Sequence, residues 1–339
     1  MRAHHFGPHP DHVGGMATVL ALFAELQIGA DLVTVHPTWI PGDRRPTMRL
    51  TLAALGVVQR LGPGDVVHVH LSTRGSLIRE GAILLDASRR GLPTIASLHG
   101  ADFADFAGRN PDFVRRILRH ARVVTALSED AEAAARDLAP DALTRLVPNP
   151  IRIQEDAHPA SQTDRIALFA GEIGTRKGID VLESAWSLVH HRVPSARCLV
   201  VGPDGDLTPR PRDGLTVLPA RSPAAIGELL QDARVAVLPS RAEAMPMFLL
   251  EAMAAARPFV ATPVGANARL AKRGGILVEV GDRDGLADAL VRVLEDPGLA
   301  ERLGTSGQSF CRSTRSPAVV GAAYDEVYRE AASRARRQD

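Results

Sequence analysis

Glu243 and Glu251 stand eight positions apart in the segment Pro239-Ser-Arg-Ala-Glu-Ala-Met-Pro-Met-Phe-Leu-Leu-Glu, where an apolar run leads into a helical pattern. Ala233 to Leu238 reads as a short buried strand, and Pro246 suits the first turn of a helix, where a missing N–H costs nothing. The amides of Met247 to Leu249 are then left without helical acceptors. Together with the positive end of the helix dipole they form a place for phosphate. One carboxylate lies beside this anion cradle and the other a little over one turn inside the helix. Carboxylates accept hydrogen bonds from vicinal hydroxyls, so a junction of this kind can hold sugar, phosphate and ribose together.

A second loop carries cations. Arg176 and Lys177 lie in Gly171-Glu-Ile-Gly-Thr-Arg-Lys-Gly-Ile-Asp, bounded by glycines and opening a helix. Positive charge there would offset the charge that develops on a departing diphosphate; a solvated loop is the plain alternative. Gly14 and Gly15 separate the first strand from a helix, a place where backbone can approach a ligand closely or simply turn. His99 follows an apolar strand and so stands at its carboxyl end, where it can hydrogen-bond a sugar hydroxyl. Asp102 is three residues on. His68 and His70 are one residue apart, but with no third ligand in view the pair does not read as a metal site. Arg115, Arg119 and Arg122 form one helical face of 112–122, with Val114, Ile117, Leu118 and Ala121 on the other. Such a basic amphipathic stretch can contact an anionic membrane surface, although most charge runs are solvated faces.

Short apolar runs alternating with helical patterns predict parallel sheets wound with crossover helices. In the first half strands are expected at 2–6, 31–36, 65–70, 93–98, 122–127 and 143–147, with helices at 15–26 and 76–89 among the connections. A polar stretch, 152–164, reads as a linker. The rhythm then restarts, with strands at 165–170, 197–201, 215–218, 233–238, 258–262 and 275–278 and helices at 178–190, 223–231 and 247–256. From Asp282 the chain is largely helical, with Gly304 and Gly307 as expected breaks and Pro317 able to start a last helix to about Arg334. The expected organisation is an α/β chain with an N-terminal domain over 1–155, a C-terminal domain over 164–315 and a terminal helix in 316–339.

Bulk properties narrow the class. With 339 residues the chain is comfortable for two domains, and 40 basic against 39 acidic residues give no global pull toward nucleic acid. Cys198 and Cys311 alone cannot form a disulfide scaffold and point to a reducing compartment. The first residues lack the apolar core of a signal peptide, and no uncharged run approaches the roughly 20 residues of a membrane span. A cytoplasmic protein is expected, with contact at the inner face of the membrane if the basic stretch is used.

The spacing of Glu243 and Glu251 resembles the E-x7-E motif of the retaining GT-B glycosyltransferases of family 4. The resemblance extends over nearly the whole chain and implies two Rossmann-like domains facing a central cleft, with the terminal helix returning to the N-terminal domain. It implies transfer of a hexosyl group from a nucleotide-diphosphate sugar to an acceptor hydroxyl with retention, without metal or cofactor, UDP carriers being favoured over GDP. Glu251 would hold the ribose hydroxyls, Glu243 would lie by the donor sugar, and Lys177 would grip the phosphates. Met245, Pro246, Met247 and Phe248, with Gly15 and Arg176, complete the implied donor site, and His99 would contact the donor hexose. The family's G-R-x-x-x-x-K-G element has its arginine at the place of Glu172, a reversal of charge. The pattern from His68 to Arg79 is similar to that of polysaccharide-assembly members, which implies Ser72, Arg74 and Arg79 as acceptor contacts and a glycan, glycolipid or small-molecule acceptor; Asp102, in the element that begins at His99, is implied on the acceptor side as well. Two rival readings remain: a GT-B-fold nucleotide-sugar epimerase, and a noncatalytic nucleotide-sugar-binding subunit.

Overall fold

The structure is a computed structural model; it describes residues 1–10, 14–40, 44–100, 103–210, 212–243 and 245–335. The chain divides into two compact units, Met1–Pro150 with Pro317–Asp339, and Ile151–Ser316. Each is built on a sheet whose strand pairings are all parallel.

In the first unit the strands are β1 (Arg2–Pro8), β2 (Leu32–Trp39), β3 (Asp65–Leu71), β4 (Thr94–Leu98), β5 (Val123–Ala126) and β6 (Leu143–Leu146), in the order β2-β1-β3-β4-β5-β6. Helices cover the sheet, so inner strands are near-continuous apolar runs rather than alternating ones. Every residue of β3 is buried, including its two histidines. Leu77, Ile83, Leu84, Phe103, Val114, Ile117 and Leu118, all helical, join Val67, Val69, Ala96 and Val124 of the strands in one apolar cluster. The terminal helix, Pro317–Ala335, belongs to this unit: Val320, Tyr324, Val327 and Tyr328 are buried along one stripe at helical spacing.

The second unit contains β7 (Ile166–Ala170), β8 (Arg197–Val201), β9 (Leu215–Leu218), β10 (Val235–Leu238), β11 (Phe259–Ala261) and β12 (Gly275–Leu277), in the order β12-β11-β10-β7-β8-β9. Strand order reverses between β7 and β10, and in doubly wound sheets the carboxyl ends at such a switch point are where ligands bind. The expected strands agree with these to within a residue or two at most ends.

Three expectations need correction. Gly304 and Gly307 are not breaks, because they lie inside the continuous helix Pro297–Arg315. They are there for closeness: a Cβ on Gly304 would stand 2.1 Å from the carbonyl oxygen of Ala256, and one on Gly307 3.2 Å from Met253. The polar segment 152–164 is not a loose linker, since the Gln154 amide donates to Ala254 O, Ser161 donates to Glu301, and Ala160 and Thr163 are buried. The basic stretch is not one amphipathic helix. Its helix ends at Leu118, and its apolar face (Val114, Ile117, Leu118) is part of the core rather than open to a membrane. Arg122 lies beyond the helix and donates to the carbonyls of Gly91 and Ala331, while Arg115 pairs with Asp112 at 2.6 Å. No helix among the described residues is long and apolar enough to cross a membrane.

Candidate active site

β7 and β10 lie side by side, so the loops leaving their carboxyl ends are neighbours. The loop after β7 ends in a single 3-10 turn, Thr175–Lys177, closed by Gly178 at φ 73°. A Cβ at Gly178 would lie 2.0 Å from the carbonyl oxygen of Pro239, so only glycine lets this turn rest against the chain leaving β10. Two further ties hold the loops together. The Arg241 amide donates to Arg176 O, and the Arg241 guanidinium forks onto both carboxylate oxygens of Asp180 at 2.8 and 2.7 Å.

This arrangement brings Lys177 and Glu243, 66 positions apart, to 2.5 Å between Nζ and Oε1. Ser240 donates to the same carboxylate oxygen at 2.7 Å. Ser240 is itself completely buried, and its carbonyl accepts from Thr262, whose own carbonyl accepts from Asn267 at 3.0 Å. The two charged side chains are largely covered, at 15% and 7% exposure, so the pair is held in a fixed place rather than waving in water. An anion arriving at Lys177 would find an ammonium already oriented by Glu243.

Pro246 caps the helix Met247–Ala254 and supplies no side-chain cap. Helix geometry leaves the amides of Phe248 and Leu249 without acceptors inside the helix; the first backbone bond runs from Leu250 to Pro246 O. The side chains of Met245, Met247 and Phe248 are buried and fix the helix start against the core. Glu251 lies on this helix and is half-buried, with no partner among the described residues. Burial pushes its carboxyl up to about 7. A carboxyl kept from ionising by burial alone gains most from hydroxyl donors brought by a ligand.

Arg176 pairs with Glu172 at 3.1 Å, both about half exposed, and also donates to Ala242 O. The carboxylate that occupies the family's arginine position is thus matched by the neighbouring cation. Ala244 lies outside the described residues.

The first unit's sites are differently made. Gly15 opens the helix Gly15–Leu26, with Gly14 as its cap. Arg74 is exposed at φ 55° and precedes the helix Gly75–Arg89; the Ser72 amide donates to Ser76 Oγ at 2.9 Å. Arg79 places its guanidinium 5.9 Å above the Trp39 ring and 3.6 Å from Glu80. Glu80, not anticipated, is completely covered, accepts from Thr38 and has its carboxyl pushed up by burial. Asp102 lies outside the described residues.

His99 follows β4 at the carboxyl end of the sheet, and its Nε2 lies 2.8 Å from Nδ1 of His70. The expectation that His68 and His70 lack a third imidazole is wrong. His5 of β1 sits beside His68 in the strand register, and ring nitrogens of His5, His68 and His70 lie within 4.8 Å of one another. These nitrogens are already engaged by hydrogen bonds, and an ion could enter only by replacing them. The sequence signal was the two-residue period: His68 and His70 share a face of β3, and β1 adds His5 to that face.

Residues 164–296 match the family described as glycosyl transferases group 1, and residues 14–150 match the glycosyl transferase 4-like domain. The chain belongs to the GT-B glycosyltransferases. Among relatives of this glycosyltransferase is the D-inositol 3-phosphate glycosyltransferase of Streptomyces griseus, 29% identical over 83% of this chain and 70% of that protein. Two solved structures share its fold. Sucrose-phosphate synthase from Thermosynechococcus elongatus superposes with TM-score 0.73 at 19% identity, covering 97% of this chain and 98% of that one. Anabaena HepE in complex with UDP and glucose gives 0.72 at 16%, covering 96% and 99%. The epimerase and noncatalytic readings are not favoured beside these matches.

Proposed function

We propose that this glycosyltransferase moves a hexosyl group from a UDP-sugar to a hydroxyl of a glycan or glycolipid, in polysaccharide or cell-envelope assembly, with retention and without a metal ion or cofactor. The observation that carries the reading is the Lys177–Glu243–Ser240 cluster at the β7/β10 switch point, beside a helix start where the Phe248 and Leu249 amides have no acceptor inside the helix. Lys177, with those amides, meets the diphosphate and offsets the charge released as the glycosidic bond breaks. Glu243 accepts from a sugar hydroxyl and Glu251 from the ribose; in the first unit, His99 offers its ring to a hydroxyl. No side chain is required as nucleophile: the leaving phosphate oxygen takes the proton of the incoming hydroxyl, so catalysis rests on positioning and on stabilising the leaving charge. The binding of UDP and glucose by a protein of the same fold supports the choice of carrier.

Incubation with UDP- and GDP-sugars, an acceptor panel and a chelator tests this reading. The expected result is a UDP-sugar-dependent product with the donor's anomeric configuration, read by proton NMR, at a rate the chelator leaves unchanged. Inverted product, or activity abolished by chelation and restored by a divalent ion, would overturn it.

A further inference from the structure

One face of the first sheet carries a continuous line of hydrogen bonds that ends at His99. Strand register sets it up: His5 opposes His68, His70 opposes Ser97, and Ser97 opposes Thr125, so period-two side chains of four adjacent strands fall on one face. The terminal helix lays Tyr324 and Tyr328 on that face. From the inner end the contacts run Thr125 Oγ1 to Ser97 Oγ at 2.5 Å, Ser97 to His68 Nε2 at 2.6 Å, and His68 Nδ1 to the Tyr328 hydroxyl at 3.2 Å. They continue from Tyr328 to His5 Nε2 at 2.9 Å, His5 Nδ1 to His70 Nε2 at 2.9 Å, and His70 Nδ1 to His99 Nε2 at 2.8 Å. Beyond that lies only Nδ1 of His99, with no partner among the described residues, on a ring that is not fully covered.

Each link needs one donor and one acceptor. A neutral imidazole donates from one nitrogen and accepts at the other, and a phenol has a single proton. Burial holds His68 and His70 well below the usual histidine range and brings His5 to about 3 and His99 to about 4, so all four rings are neutral near pH 7. The Tyr328 hydroxyl touches only His5 and His68 among the described residues, so its proton goes to one and it accepts from the other. Once that direction is chosen, the proton on every ring follows. If Tyr328 donates to His5, then His68, His5, His70 and His99 all carry the proton on Nδ1. If it donates to His68, all four carry it on Nε2. Converting one state to the other would require one proton to cross at His99 and another at Ser97, whose hydroxyl touches Thr125 and Tyr324. These three are at most 3% exposed, so the line acts as a lock and not as a conduit.

We infer that His5, His70 and Tyr328 are positioning residues that fix, through this line, whether the outward nitrogen of His99 is a hydrogen-bond donor or an acceptor. What His99 touches rests on the proposed function; the shared tautomer does not. A line of fixed direction gives His99 one hydrogen-bonding sense toward a hydroxyl before any ligand arrives, which spares the ordering cost at binding.

Long-range proton–nitrogen correlation NMR on the full chain labelled with nitrogen-15 in histidine reads the tautomers directly, without substrate. The expected result is one common tautomer for His5, His68, His70 and His99. A mixed set, or a doubly protonated ring among the four at pH 7, overturns the inference. Tyr328→Phe keeps the buried ring and removes the link. It is expected to put His99 into exchange between tautomers and to lower kcat by about fivefold, with the donor KM little changed. Unaltered His99 signals in a folded Tyr328→Phe protein, confirmed by its thermal midpoint, would remove the positioning role. If no transfer activity is found, the proposed function fails while the tautomer result still stands or falls alone.

Discussion

The switch point of the second unit and the histidine line of the first place polar groups on parallel sheets in opposite ways. At β7 and β10 the groups are charged, lie past the strand ends, and stay within reach of solvent and ligand. In the first unit they are neutral, His5, His68 and His70 lie within β1 and β3, and only the last ring, His99 just past β4, is open. A charge inside the sheet would have to be paired or lost, whereas an imidazole can stay neutral and still pass on direction. In the proposed reaction the second unit would therefore supply electrostatic work and the first orientation.

The difference can be broken most sharply at the charged end. Lys177→Ala and Glu243→Ala are each expected to lower kcat/KM by at least about a hundredfold, and the double variant to lose much less than the product of the two. Steady-state kinetics with the preferred donor decides it; unchanged rates in both single variants would sink the assignment. Next in size is Gly178→Ala, where positive φ and the Pro239 carbonyl 2.0 Å from the new Cβ leave no room. A loss of about 2 kcal/mol in urea unfolding of the second unit is expected, with donor affinity falling as Lys177 moves.

Glu251 sharpens the contrast by titration. Its carboxyl stands near 7 when free, and ribose hydroxyls favour its ionised form, so nucleotide binding should release a proton below that pH. UDP affinity is then expected to fall about tenfold per pH unit below 7, by calorimetry in buffers of differing ionisation enthalpy, and to lose that slope in Glu251→Gln.

The smallest effect is a difference in sign. Folded-state pKa values of the buried histidines lie below the unfolded value of 6.5, so the unfolded chain binds more protons as the pH falls past that value. Stability of the first unit should decline from about pH 6.5 downward. Glu251 is raised from 4.5 to about 7, so the folded form holds the extra proton between those values, and its contribution to the second unit is lost as pH rises through 7. Hydrogen exchange resolved by unit at pH 5.5 and 7.5 should therefore show protection shifting in opposite directions. A shift of the same sign in both units would erase the contrast.

Local pattern carried much of this molecule. Apolar runs of parallel strands announce themselves because both faces are covered, and Pro246 and Glu251 mark a helix start whatever lies elsewhere. What escaped depends on approach between distant segments. Gly304 and Gly307 look like breaks until Ala256 and Met253 are set against them. His5 joins His68 only through strand pairing, and Tyr328 reaches both from more than 250 positions away. Arg122 reads both as the third residue of a basic helical face and as the first of a strand at 122–127, and the strand is what the chain builds beside it. The pairing of Arg176 with Glu172 was in view in the four-residue spacing, but the family pattern directed attention to the missing arginine instead.

The terminal helix has a consequence for how the chain comes into being. Pro317–Ala335 completes the first unit, yet it is made after the whole of the second. During synthesis the second unit can close on itself while the earlier-born sheet waits with His5 and His68 uncapped by Tyr328. The order of birth and the order of completion are thus reversed, and a ribosome that stalls between the two units leaves the older half unfinished.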